Sequence, residues 1–153
     1  MGQQQLLLLV LGMVIVGIAV VAGIQAFSEG KEKAARDAAV SDAMRIISDI
    51  QAWKMKPAAF GGGASSNNIP TFYDLGYPKV GILEDSKYKT VNGCYEISNY
   101  TTPPSGSSGS SGSSGIADLK IYLDTGCSGS PIAVVHIGGT TVDDLQWEWK
   151  STS

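Results

Sequence analysis

Leu6-Leu7-Leu8-Leu9-Val10-Leu11-Gly12-Met13-Val14-Ile15-Val16-Gly17-Ile18-Ala19-Val20-Val21-Ala22-Gly23-Ile24-Gln25-Ala26-Phe27 contains no charged residue. As an α-helix rising 1.5 Å per residue, these roughly 22 residues span about 33 Å, the thickness of a bilayer's hydrocarbon core. A buried helix of a soluble protein is usually shorter and keeps a polar edge. A cleavable secretory signal fits less well, because no basic region precedes the run and helical patterning continues beyond it.

Downstream, Ala35, Ala39, Ala43, Ile46, Ile47, Ile50 and Trp53 recur at steps of three and four, with Lys33, Asp37, Asp42, Arg45 and Asp49 on other faces. That spacing predicts an amphipathic continuation of the same helix, ending before Pro57 and Gly61-Gly62-Gly63. The chain therefore divides into an apolar half-helix over 1–28, an amphipathic half-helix over 29–56 and a β-rich head over 57–153. The small residues at 34, 35, 38, 39 and 43 allow close approach by another backbone or a sheet. Loop charge would hold Lys31, Lys33 and Arg36 inside the cell. Export of the head then requires a short leader, Met1-Gly2, or dedicated machinery.

The chain has 153 residues, a formal charge of -3 and a single histidine. Acidic and basic residues are interleaved along 29–56, so no basic stripe invites nucleic acid. Beyond residue 64 the composition turns to Ser, Thr, Gly, Asn and Pro. The two cysteines, Cys94 and Cys127, both fall in this polar part, and beside a membrane anchor they predict a disulfide in an oxidising compartment.

In the head, Phe72, Tyr73 and Tyr77 lie in a loop section, 65–78, where rings bury area without regular structure. Four strand-like runs follow, at 89–98, 117–124, 132–137 and 141–149. The continuous apolar run of the third marks an interior strand, and Gly138-Gly139 reads as a tight hairpin turn. Between the first two runs, Pro103-Pro104 and repeated Ser-Gly-Ser units reach Gly115. With no side chain to anchor it, 103–115 is expected to be a flexible surface loop, as regular as an engineered linker.

No catalytic, cofactor or metal constellation emerges, so an enzyme is not expected. One histidine, His136, in an apolar strand gives no material for a triad or a histidine-rich metal site. Asp143-Asp144 and Glu84-Asp85 lack the ligand spacing of a calcium loop and read as turn residues. The glycine triplet lacks the Lys-Ser/Thr of a phosphate loop. Asn99-Tyr100-Thr101 fits the N-glycosylation pattern.

An apolar half-helix following Gly2, opening Gln3-Gln4-Gln5-Leu6-Leu7-Leu8-Leu9-Val10, then an amphipathic continuation and a four-stranded head with a C-terminal disulfide loop, resembles the type IV pilins and pseudopilins. The resemblance implies an α+β, pilin-like fold, one long N-terminal helix packed against a small four-stranded antiparallel sheet. It further implies cleavage after Gly2 by a prepilin peptidase and N-methylation of Gln3. The family usually starts with Phe and carries Glu at the fifth mature position, where this chain has Gln3 and Leu7. Gln4 or Gln5 would then hydrogen-bond a neighbour's terminus in place of that Glu.

Physical chemistry points the same way. A helix apolar on all sides has two stable environments, lipid or copies of itself. Identical subunits meeting head to tail without closure build a fibre. Its core would hold Leu6 to Leu11, Met13 to Val16, Ile18, Val20, Val21 and Ile24. Gly12, Gly17 and Gly23 would permit local unwinding or close helix contact, each disfavouring helix by up to about 1 kcal/mol. The expected protein is a major pilin, resident in the cytoplasmic membrane as a monomer and then part of an extracellular homopolymer. Pilus assembly machinery would be its partner, and adhesion, motility or DNA uptake its downstream use. A pseudopilin of a secretion system and a single-span membrane-anchored binding protein are the rival expectations.

Overall fold

The computed structural model describes residues 2–64, 68–101 and 115–150. Met1, the start of the loop section at 65–67 and the Ser/Gly run at 102–114 lie outside the described residues. The chain separates into two compact units, Met1–Asp37 and Ala38–Ser153.

One helix, α1, runs from Gly2 to Met55. In the first unit its large apolar side chains are uncovered, from Met13 at 71% exposure to Val10 at 52%. In the second unit the same helix buries Ala39, Ala43, Ile46, Ile47 and Ile50, a stripe at the three-and-four spacing of one helical face. Pro57 ends it by disfavouring helical geometry at the residue before it. The glycine triplet then folds back on the last turn. Gly61, at φ 77, closes a short 3₁₀ turn over Ala58–Phe60, and the Gly63 N–H donates to the Trp53 carbonyl at 3.0 Å. A Cβ on Gly63 would collide with the Trp53 ring, and one on Gly62 with the Lys56 carbonyl.

The head holds an antiparallel meander of six strands in sequential order, not the four expected: β1 Ile82–Glu84, β2 Lys87–Lys89, β3 Cys94–Ser98, β4 Ala117–Tyr122, β5 Ala133–Ile137 and β6 Leu145–Trp149. The two added strands are only three residues long each. The run at 89–98 is not one strand but two, broken by Thr90-Val91-Asn92-Gly93, where the Thr90 N–H donates to the Gly93 carbonyl at 2.8 Å. Asn-Gly between strand-forming residues is a strong hairpin signal. Gly93 is also required sterically, since a Cβ there would strike the Tyr122 carbonyl.

The expected tight turn at Gly138-Gly139 is a longer connection. β6 starts at Leu145, not Thr141, because Val142–Asp144 forms a 3₁₀ turn held by a reciprocal capping box between Thr141 and Asp144. The loop closes where the Gly138 N–H donates to the Asp144 carbonyl at 2.9 Å. β5 is an interior strand, paired with β4 and β6.

Period-two alternation puts Tyr95 and Ile97, Ala117, Leu119 and Ile121, and Ala133, Val135 and Ile137 on one face, where they form a single core with Ala39, Ala43, Ile46, Ile47 and Ile50 of α1. Polar tethers frame it. Asp42 accepts from Asn92 at 2.9 Å, Asp49 from the Tyr77 hydroxyl at 2.7 Å, and Gln51 donates to the Gly139 and Thr141 carbonyls. Phe72, Tyr77 and Tyr88 pack ring against ring at centroid distances of 4.7 to 5.5 Å. The loop section thus supplies aromatic burial through Phe72 and Tyr77, whereas Tyr73, expected to join them, is 63% exposed.

Candidate functional site

The strongest functional feature is a continuous apolar surface that the chain's own described residues leave uncovered. Leu6 to Leu11, Met13 to Val16, Ile18, Val20, Val21 and Ile24 are all more than half exposed. Among the described residues, nothing beyond the helix's own backbone lies within 4 Å of where a Cβ would stand on Gly12, Gly17 or Gly23. By length and composition α1 qualifies as a membrane span, and none of its most apolar window is buried. A helix from the core of a soluble protein would be covered. Soluble proteins rarely leave so continuous an apolar surface in water, so this one requires lipid or protein against it.

Charge begins where the apolar run stops. The Lys31 ammonium sits 4.9 Å from the centroid of the Phe27 ring, and Arg36 pairs with Glu32 one turn earlier at 2.8 Å. At the other end, α1 has no acidic residue in its first turn. Gly2 and Gln3 are exposed helical residues.

Cys94 and Cys127 form a disulfide, with Cα atoms 5.2 Å apart. Cys94 is fully buried at the start of β3. Cys127 lies in the turn after β4 at φ 52, a left-handed conformation that costs a non-glycine residue about 1–2 kcal/mol. The turn is held around Asp124, whose carboxylate accepts first from the Ser128 hydroxyl and then from nearby backbone N–H groups. Those bonds keep it below the usual carboxylate range.

The polar face of the sheet carries a constellation that the sequence did not reveal. Asp118 and His136 are opposed in the β4–β5 register, with Oδ1 and Nδ1 2.9 Å apart. Only 2% of Asp118 and 3% of His136 is exposed. Since a carboxylate only accepts, Nδ1 carries the hydrogen. Glu148 Oε2 lies 3.5 Å from His136 Nε2, and Lys150 at 3.0 Å, with His136 adding to it, holds Glu148 below the usual carboxylate range. Thr101 donates both its N–H and its hydroxyl to Asp118 Oδ2. Alternation alone places Asp118 and His136 on polar faces of their strands; only the register makes them neighbours.

Asn99, at the end of β3, is exposed. Among the described residues no group of three His, Cys, Asp or Glu is placed to hold a metal ion.

Comparison with protein-family models, with curated proteins and with solved structures finds no match for this chain. What the fold defines is an α+β chain with a disulfide-bonded antiparallel sheet and one long apolar N-terminal helix. That helix has the dimensions of a membrane anchor.

Proposed function

We propose that this chain is a structural subunit, a major pilin, that waits in the cytoplasmic membrane and polymerises into a type IV pilus-like extracellular filament through the apolar part of α1. The observation that carries the reading is the contrast along one helix. Ala39, Ala43, Ile46, Ile47 and Ile50 are buried in one core with the chain's own sheet, whereas the large apolar residues at 6–24 are uncovered. Burying a large apolar side chain is worth roughly 1.5 to 3 kcal/mol. Over such a run the gross gain is tens of kcal/mol, much of it offset on leaving lipid and by association entropy. Identical helices packed around a common axis satisfy that surface outside the bilayer, and a contact that does not close extends into a fibre.

The pilin-like opening at Gly2, Gln3 and the leucine run supports cleavage after Gly2 and methylation of Gln3 by a prepilin peptidase, and the disulfide supports an oxidising exterior for the head. Electron microscopy of material sheared from expressing cells, with the chain identified in the fibres by mass spectrometry, tests the reading. Long fibres are expected. Short stubs formed only on overexpression would point to a pseudopilin, and absence of any polymer to a single-span binding protein. The mass of the N-terminal peptide checks processing at Gly2.

A further inference from the structure

Asn99-Tyr100-Thr101 has the pattern of an N-glycosylation acceptor, and the structure shows what folding does to it. Asn99 itself faces solvent. The two residues after it do not behave as a loose acceptor segment. The Thr101 N–H donates to Asp118 Oδ2 at 2.9 Å, and its hydroxyl donates to the same oxygen. Asp118 is 2% exposed, so pulling Thr101 away would strip a buried carboxylate of two donors and leave it on His136 Nδ1 alone. The Tyr100 ring stands edge to face with the His136 ring, centroids 6.3 Å apart. Gly115 presses on Tyr100 from the other strand root, where a Cβ would run into the ring, and Ile116 is fixed by its N–H donating to the Ile137 carbonyl at 2.7 Å.

The acceptor pattern demands Ser or Thr two residues after Asn because the transferase must engage that hydroxyl while it positions the amide. In the transfer, the Asn99 side-chain nitrogen displaces the lipid-linked pyrophosphate from the anomeric carbon of the donor sugar. A C–N bond forms, a C–O bond breaks, and the amide gives up one proton to a base of the enzyme. A hydroxyl already committed to a buried carboxylate is not available for that engagement.

We infer that folding closes the Asn99 acceptor site: sugar is added to the chain before Thr101 docks on Asp118, and the folded head is refractory. Occupancy at Asn99 therefore reports whether the chain met a transferase unfolded. Nothing in this depends on polymerisation.

The test exposes the full chain, in detergent with its disulfide intact, to a purified oligosaccharyltransferase and a lipid-pyrophosphate-linked sugar donor. The same chain, reduced and kept unfolded in denaturant that the enzyme tolerates, runs in parallel, and occupancy of the Asn99 peptide is read by mass. Modification of the folded chain is expected to be slower by at least about tenfold, the factor set by one charge-assisted hydrogen bond. Asp118→Asn, which keeps shape but weakens the hold on Thr101, should narrow the gap, and Thr101→Val should abolish modification in both states. Equal rates for folded and unfolded chain, or no modification of either, would overturn the inference. If Asp118→Asn fails to fold, the comparison of the two states of the unaltered chain decides alone.

Discussion

Asp118 and His136 face each other across β4 and β5 on the polar side of the sheet, 2.9 Å apart, yet both are almost completely buried. Polar faces of small sheets are normally wet. Here Tyr100 and Thr101 pack against the pair, and the arrangement ties these two residues to β4 and β5.

Removing one member of a buried hydrogen-bonded pair leaves the other without its partner. His136→Ala should destabilise the head by about 3 kcal/mol, read as a shift of the denaturant midpoint in detergent at constant m-value. Glu148→Gln, at the exposed end of the line, should change the midpoint little. Similar small shifts for both variants would mean that the buried pair is not a structural tie.

The Cys94–Cys127 bridge joins residues 33 positions apart. In the loop-entropy model such a bridge stabilises by about 3 to 4 kcal/mol. Replacing both cysteines with serine should lower stability by that order, and mass mapping without reductant should find no alkylatable thiol in the native chain. Two reactive thiols in protein taken from the cell surface would contradict the bridge and the oxidising compartment inferred from it.

Tyrosine burial makes the head sensitive to alkali. Burial first, then the Glu96 carboxylate that it donates to, pushes the Tyr122 hydroxyl up to about 12. Burial also raises Tyr77, with Asp49 adding to it, and Tyr95, with Asp42 adding to it. Phenols of an unfolded chain titrate near 10. A folded value raised above the unfolded one gives stability that is complete below about pH 10 and is lost as pH climbs through the folded values. Circular dichroism and tyrosinate absorbance should therefore show these hydroxyls ionising together with loss of structure, between about pH 10 and 12 or above. Ionisation of all six tyrosines near pH 10 with the fold intact would show that the three are not protected.

The apolar part of α1 is tested by charge. Asp at the centre of a membrane helix costs about 2.5 to 3.5 kcal/mol on the insertion scale, and an unpaired carboxylate in a dry fibre core is worse placed still. Val14→Asp and Leu6→Asp are both expected to abolish fibres, with Val14→Asp also lowering the membrane-bound fraction. Unchanged fibres in both variants would refute packing through this helix.

In the second unit, Ile46→Ala should destabilise by about 2–5 kcal/mol, because its side chain is 2% exposed in the core. Chemical denaturation measures it. Met44→Ala, one position off the buried stripe and 47% exposed, should have a much smaller effect.

Much of this architecture is legible in single residues. The uncharged run at 6–27, the spacing of Ala39, Ala43, Ile46, Ile47 and Ile50, and the stop at Pro57 define α1, because helix periodicity and bilayer thickness are local properties of a chain. Strands β3, β4 and β6 follow from alternation and β5 from its continuous apolar run. β1 and β2 escaped because three-residue strands carry too little pattern to register, although Asn92-Gly93 marked the hairpin that separates β2 from β3. The turn at 138–144 departs from its local pattern for a related reason: Gly138-Gly139 fits a two-residue hairpin, but the Thr141–Asp144 capping box wins and draws five more residues into the connection.

The sequence by itself determined that this protein has one greasy helix and a disulfide-capable polar head, since composition and period are fixed before anything folds. Tertiary structure alone decided that Asp118 meets His136, that Thr101 is withdrawn from the acceptor pattern it completes, and that Asp42, Asp49 and Gln51 hold separate loops to one helix. Those relationships join residues 17 to 90 positions apart or depend on strand register, and a one-residue slip in that register would turn every side chain of a strand to the opposite face.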